Sequence, residues 1–110
     1  MVKQGDIIKI NFNPQEGHEQ AGYRPAVVVS NNIFNKHCSM TLLCPITNTK
    51  NKYPLHIPLD ERTTTTGVVL CEQLRSMDLT ARQYLYVEQM PDDILKRIIN
   101  TVISEVEVSD

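Results

Sequence analysis

Arg24 lies in a dense set of reactive side chains, Gly17-His18-Glu19-Gln20-Ala21-Gly22-Tyr23-Arg24-Pro25. Pro25 and the run Ala26-Val27-Val28-Val29 follow it, a β-branched stretch that stiffens the backbone beneath the guanidinium. A guanidinium held in this way can fork two oxygens of a phosphate, or it can pair on the surface with Glu19 or Glu72. Thr47 closes the apolar segment Leu42-Leu43-Cys44-Pro45-Ile46, and a hydroxyl there either donates to a phosphoryl oxygen or caps a turn. A third group begins with Thr63-Thr64-Thr65-Thr66-Gly67, hydroxyls in a loop, and ends with Glu72-Gln73-Leu74-Arg75. If residues 67–75 form one strand, Glu72 shares a face with Leu74, while Gln73 shares the other with Arg75. A carboxylate beside the core needs a partner, and Arg24 is a candidate. His18, His37 and His56 are scattered, and imidazoles doing acid–base work must converge on one phosphate.

The usual nucleotide, zinc-protease and serine-hydrolase signatures are absent, so those chemistries lose their sequence support. Cys38, Cys44 and Cys71 are an odd set with no C-x-x-C, which reads as reduced thiols, with Cys44 and Cys71 in buried strands. No metal or cofactor is expected. No apolar run approaches the roughly 20 residues that span a bilayer, and Met1-Val2-Lys3-Gln4-Gly5-Asp6 opens no signal peptide. The reading is a cytoplasmic protein with no membrane partner. Net charge is −2, but Glu88, Asp92, Asp93, Glu105, Glu107 and Asp110 crowd the C-terminal segment against Lys96 and Arg97. The rest of the chain is mildly basic, which leaves a polyanionic partner open.

The elements that must position these groups are short. At 110 residues, 41% apolar and 22% charged, the chain reads as one domain over 1–110 with an ordinary core. Residues 6–12 alternate, with Ile8, Ile10 and Phe12 on one face. A loop over 13–23 carries Pro14, Gly17 and Gly22. Further strands are predicted over 24–30, 40–46, 55–59, 67–75 and 85–87, with Asp78 capping a short helical turn through Arg82. The end is helical: Ile94, Leu95, Ile98, Ile99, Val102 and Ile103 form a stripe, with Pro91, Asp92 and Asp93 at its start. The fold class is mainly β with α, a small curved sheet or barrel of five or six short strands capped by a C-terminal helix.

In this order and spacing the clusters resemble the MazF/PemK/Kid family of toxin–antitoxin endoribonucleases. The matching pieces are Gly5-Asp6-Ile7, Phe12-Asn13-Pro14, Gly17-His18-Glu19-Gln20-Ala21-Gly22 and Arg24-Pro25-Ala26-Val27-Val28-Val29-Ser30. Phe34-Asn35, Pro45-Ile46-Thr47, Thr65-Thr66-Gly67-Val68-Val69-Leu70 and Glu72-Gln73-Leu74-Arg75 with Asp78 complete them. The resemblance implies an SH3-like barrel of five to seven strands that works as a homodimer. It implies metal-independent cleavage of single-stranded mRNA at a short sequence, and a cognate antitoxin whose disordered tail occupies the RNA groove.

The same resemblance makes Arg24 and Thr47 the catalytic pair. The ribose 2′-hydroxyl would attack the adjacent phosphorus, leaving a 2′,3′-cyclic phosphate and a 5′-hydroxyl. A guanidinium keeps its proton at neutral pH, so Arg24 suits charge stabilisation better than proton transfer. His18, Glu19 or Glu72 would supply the acid or base. Base selection is carried onto Phe12, Glu19, Gln20, Pro54, His56 and Gln73, although the strand pattern of Phe12 also fits the core. Some relatives carry an arginine two positions before the acid of the E/D-Q pair; Leu70 stands there in this chain, which moves the weight to Arg24 and Thr47. The segment from Thr47 to Pro54 is where the target sequence is expected to be set. Two other classes remain: a same-fold toxin that poisons a protein such as DNA gyrase, and a non-catalytic SH3-like RNA- or protein-binding module.

Overall fold

The computed structural model describes residues 1–13, 22–48 and 54–110. Seven antiparallel strands form one sheet: β1 (Asp6–Asn11), β2 (Tyr23–Val28), β3 (Thr41–Thr47), β4 (His56–Pro58), β5 (Val68–Leu70), β6 (Arg75–Met77) and β7 (Tyr84–Gln89). Their order is β4-β5-β3-β2-β1-β7, with β6 also on β3. Two helices complete the fold, α1 (Asn32–His37) and α2 (Asp92–Glu105).

The strand expected over 67–75 is two strands. One edge of β3 takes β5 at Ile46 and Thr47, then β6 at Thr41 to Leu43. Between them Cys71–Gln73 form a 3-10 turn of 3 residues, and the register against β3 slips by that same number. The alternation predicted for residues 72–75 therefore fails: Glu72 and Gln73 project from a turn, and only Arg75 sits in a ladder. Asp78 does not cap a helix. Its side chain accepts from the Thr80 N–H at 2.9 Å and the Thr80 hydroxyl at 2.6 Å, closing a turn before β7. The short helix α1 was not expected; the Asn31 side chain caps it by accepting from the Phe34 N–H at 2.8 Å.

Both faces of the sheet are buried, as the continuous apolar runs of β2 and β3 require. On one side Ile7, Val27, Cys44, Ile46 and Val69 pack against Met90, Ile94 and Ile98, the last two from the apolar stripe of α2. On the other side Ile8, Ile10, Phe12, Ala26, Val28, Leu43 and Met77 form a cluster that contains no helical residue. The sheet must curl around that cluster to exclude water, which makes this its concave face. Cys44 and Cys71 are buried, Cys38 is exposed, and a hydrogen bond with Cys71 together with burial holds Cys44 as a thiol.

Three carboxylates secure the loop between β4 and β5. Glu88 of β7 accepts from the backbone N–H groups of Thr64 (3.0 Å) and Thr65 (2.8 Å) and from both hydroxyls, each at 2.8 Å. Arg62 bridges Asp60 and Asp93, each at 2.8 Å, which ties the loop to the first turn of α2. Among the described residues no helix is long and apolar enough to cross a membrane.

Candidate functional site

The concave face carries the site because of register. Ala26 of β2 stands opposite Pro45 of β3, and one more alternation along each strand sets Arg24 opposite Thr47. The two side chains leave the same face and meet: Arg24 Nη1 donates to Thr47 Oγ1 at 3.3 Å. Both residues are half-buried, so the pair sits at the rim of the core. Arg24 is braced from the other side by Ile10 of β1, and Thr47 by Val68 of β5.

Gly67 explains how the chain closes on Thr47. Its φ is +116°, and a Cβ built there would stand 2.7 Å from the Thr47 carbonyl carbon and closer still to its oxygen. Only glycine lets the Thr66–Val68 segment approach the Thr47 backbone this closely.

The same face extends across the sheet. Thr47 pairs with Val68, Val68 with Pro58, and one row along Leu70 pairs with His56. Opposed residues share a face, so His56 lies on the Thr47 side of the sheet two strands away. His56 Nε2 is 2.8 Å from Glu72 Oε2, with the two side chains 11% and 31% exposed. The partner of Glu72 is thus an imidazole rather than the Arg24 guanidinium, one candidate offered by the sequence. The 3-10 turn swings Glu72 toward β4, a displacement that a continuous strand would not produce.

Of the residues proposed from sequence, Arg24 and Thr47 come together, and His56 and Glu72 come together. Gln73 is half-buried in the 3-10 turn, and Pro54 is exposed in the turn before β4. Phe12 is wholly buried, so its ring presents no face to a base; its alternation with Ile8 and Ile10 placed it in the core. His18, Glu19 and Gln20 lie outside the described residues. The threonine hydroxyls of residues 63–65 are all engaged, Thr63 with the Thr65 carbonyl and Thr64 and Thr65 with Glu88. They build the loop and offer no phosphate contact.

Arg75 joins the face as a residue to which the sequence gives no site role. Its guanidinium carbon lies 5.5 Å from the centroid of the Phe12 ring. The signal was present in the Glu72-Gln73-Leu74-Arg75 string, but reading residues 67–75 as one strand obscured where Arg75 points. Among the described residues no group of three or more His, Cys, Asp or Glu side chains could hold a metal ion.

Known proteins resemble this chain in sequence and in fold. The sequence pattern of the family described as PemK-like, MazF-like toxin of type II toxin–antitoxin system matches residues 3–105. The endoribonuclease toxin ChpB of Escherichia coli strain K12 is 37% identical over 113 aligned positions, covering 96% of this chain and 94% of ChpB. The endoribonuclease toxin MazF of the same strain is 40% identical over 78 positions, 71% of this chain and 69% of that protein. Among solved structures, MazF from Deinococcus radiodurans superimposes with a TM-score of 0.88 at 32% identity, covering 96% of both chains. A MazE–MazF structure from that organism gives 0.81 at 27% identity, covering 98% of this chain and 97% of the other.

Proposed function

The chain belongs to the PemK-like, MazF-like endoribonuclease toxins of type II toxin–antitoxin systems, and on that premise we propose how it cuts. It cleaves single-stranded mRNA at a short sequence, without a metal, by attack of the ribose 2′-hydroxyl on the adjacent phosphorus. The 5′-oxygen leaves, giving a 2′,3′-cyclic phosphate and a 5′-hydroxyl end.

The observation that carries this reading is the Arg24 Nη1–Thr47 Oγ1 hydrogen bond. Because Thr47 Oγ1 accepts from the guanidinium, its own proton is available to a phosphoryl oxygen. The remaining guanidinium donors can reach the same phosphate, so both groups act on the charge that grows in the phosphorane. A hydroxyl polarised by a cation is a stronger donor than one in water. Proton transfer from the 2′-hydroxyl falls to His18, Glu19 or Glu72. Glu72 is oriented for that task by His56. Base selection is assigned to Glu19, Gln20, Pro54, His56 and Gln73, of which His56 lies on the Thr47 side of the sheet. DNA lacks the attacking hydroxyl and survives.

Residues 1–110 form one toxin domain that works as a homodimer in the cytoplasm. Its protein partner is a cognate antitoxin, acidic and partly disordered, whose segment folds over the RNA groove. The MazE–MazF relative supports this partner.

The test is cleavage of a long, diverse single-stranded RNA in EDTA, with Arg24→Ala beside the parent. Cuts at one recurring sequence with 5′-hydroxyl ends are expected, reduced about 10²- to 10³-fold in the variant. Cleavage that survives Arg24→Ala would overturn the role given to that residue. No cleavage by either protein would overturn the activity, and toxicity unaffected by Arg24→Ala would redirect the search to a protein target such as gyrase.

A further inference from the structure

Arg75 is the cation on the concave face that the chemistry above leaves without a task. In β6 it stands directly opposite Leu43 of β3, and Met77, two residues on, is buried with Leu43 in the Phe12 cluster. Opposed and alternate residues share a face, so Arg75 points into the interior whose rim carries Arg24 and Thr47. Its guanidinium lies over the Phe12 ring. Phe12 is two residues beyond Ile10, the residue opposite Arg24. Diagonal neighbours of that kind are roughly 7–8 Å apart, within reach of long side chains. Phe12 therefore carries the Arg75 guanidinium over its ring and lies diagonal to Arg24 in the ladder.

The surroundings of Arg75 are unusual for a structural residue. Its Nη1 is buried with no hydrogen-bond partner, and among the described residues it forms no ion pair. The ring's attraction for a cation only partly offsets the desolvation of a charged donor. An apolar side chain would fill the same space at lower cost. A permanently charged group with one buried nitrogen unsatisfied, on the face whose rim carries Arg24 and Thr47, is suited to an anion that arrives with the substrate. Single-stranded RNA supplies one, because a strand with its scissile phosphate on Arg24 and Thr47 carries further phosphates one nucleotide to either side.

We infer that Arg75 is a second phosphate anchor, holding the RNA phosphate next to the scissile one by turning from the Phe12 ring toward the backbone. It is a positioning residue and moves no proton. This rests on the ribonuclease reading above.

The experiment measures binding of a short random-sequence pool of 2′-O-methyl RNA, which keeps every phosphate and has no 2′-hydroxyl to react. Fluorescence anisotropy over a salt series is compared for the parent, Arg75→Met and Arg75→Gln. Methionine preserves the packing on Phe12, and glutamine preserves polarity. One lost phosphate contact on a single strand lowers the slope of log affinity against log salt by about 0.7. Both variants are expected to show that decrease while melting no lower than the parent, and KM for cleavable RNA should rise more than kcat falls. Slopes equal to the parent's, or a loss of fold in both variants, overturn the inference. If the parent cleaves RNA and the slopes are equal, the anchor alone fails. If the parent neither cleaves nor binds the pool, the ribonuclease reading fails with it. Unchanged RNA slopes with lost binding of polyglutamate would overturn the anchor in favour of an acidic protein partner.

Discussion

At the scale of single residues the reaction depends on a hydroxyl that accepts from one group and donates to another. Thr47 is the residue where this can be separated from bulk. Thr47→Val keeps the shape, leaves the Arg24 N–H without its acceptor and removes the donor to the phosphate. Losing one such transition-state donor costs about 2.7–4 kcal/mol, or 10²- to 10³-fold in kcat. Thr47→Ser keeps the oxygen and should retain most activity. Single-turnover cleavage of the two variants on one RNA checks this, and an active Thr47→Val beside an impaired Thr47→Ser would show that the methyl group, not the hydroxyl, matters. The types of Arg24 and Thr47 were legible in the sequence because each stands at a strand end beside a stiff apolar run. Their contact was not, since it follows from the β2–β3 register over residues distant in the chain. His56 and Glu72 show the same limit: both were candidates, and only the 3-10 turn makes them partners.

At the scale of elements, the β4–β5 loop positions Thr47 through Gly67 and is itself held by Glu88. Gly67→Ala forces a side chain at a φ of +116° against the Thr47 carbonyl. Such strain costs on the order of 1–3 kcal/mol. The variant should melt lower and also cleave more slowly at temperatures where it remains folded, because Thr47 must move; unaltered kcat would show that the loop yields instead. Glu88 offers a pH test. Burial pushes its carboxyl up, but the backbone and hydroxyl hydrogen bonds from Thr65 and Thr64 outweigh this and hold it below the usual range. A carboxyl depressed in the folded state contributes its full stability above the unfolded value of about 4.3, and that contribution is lost as pH falls through the lower folded value. Glu88→Gln should therefore melt lower than the parent at pH 7, where the paired carboxylate contributes in full. The melting-temperature gap to the parent should close as the solution is acidified toward and below the folded value; a gap independent of pH would assign the cost to shape. Helix α2 was legible because its stripe and acidic first turn agree. The break between β5 and β6 was not, because residues 68–75 hold no Gly or Pro to mark a turn and the break shows only in their two registers against β3.

At the scale of the whole molecule, the sheet is covered on one face by α2 and curls over its own core on the other, yet its end strand β7 stays uncovered. Leu85 and Tyr86 leave opposite faces of β7 and are 62% and 61% exposed. Apolar side chains exposed on both faces of an edge strand invite a further protein surface, since burying each would remove large apolar areas from water. A second copy of this chain is the occupant we propose. A homodimer made through a twofold axis would present two Arg24–Thr47 pairs to one RNA or one antitoxin segment, with the same patch buried on each subunit. An interface of ordinary size removes about 600–1,000 Å² per subunit from the 6924 Å² that this chain exposes. Light scattering after size exclusion at micromolar concentration should give twice the mass of one 12.5 kDa chain. The mass of a single chain would remove the continuous groove on which the antitoxin and RNA proposals depend. A dimer that persists in Leu85→Glu would place the contact away from β7.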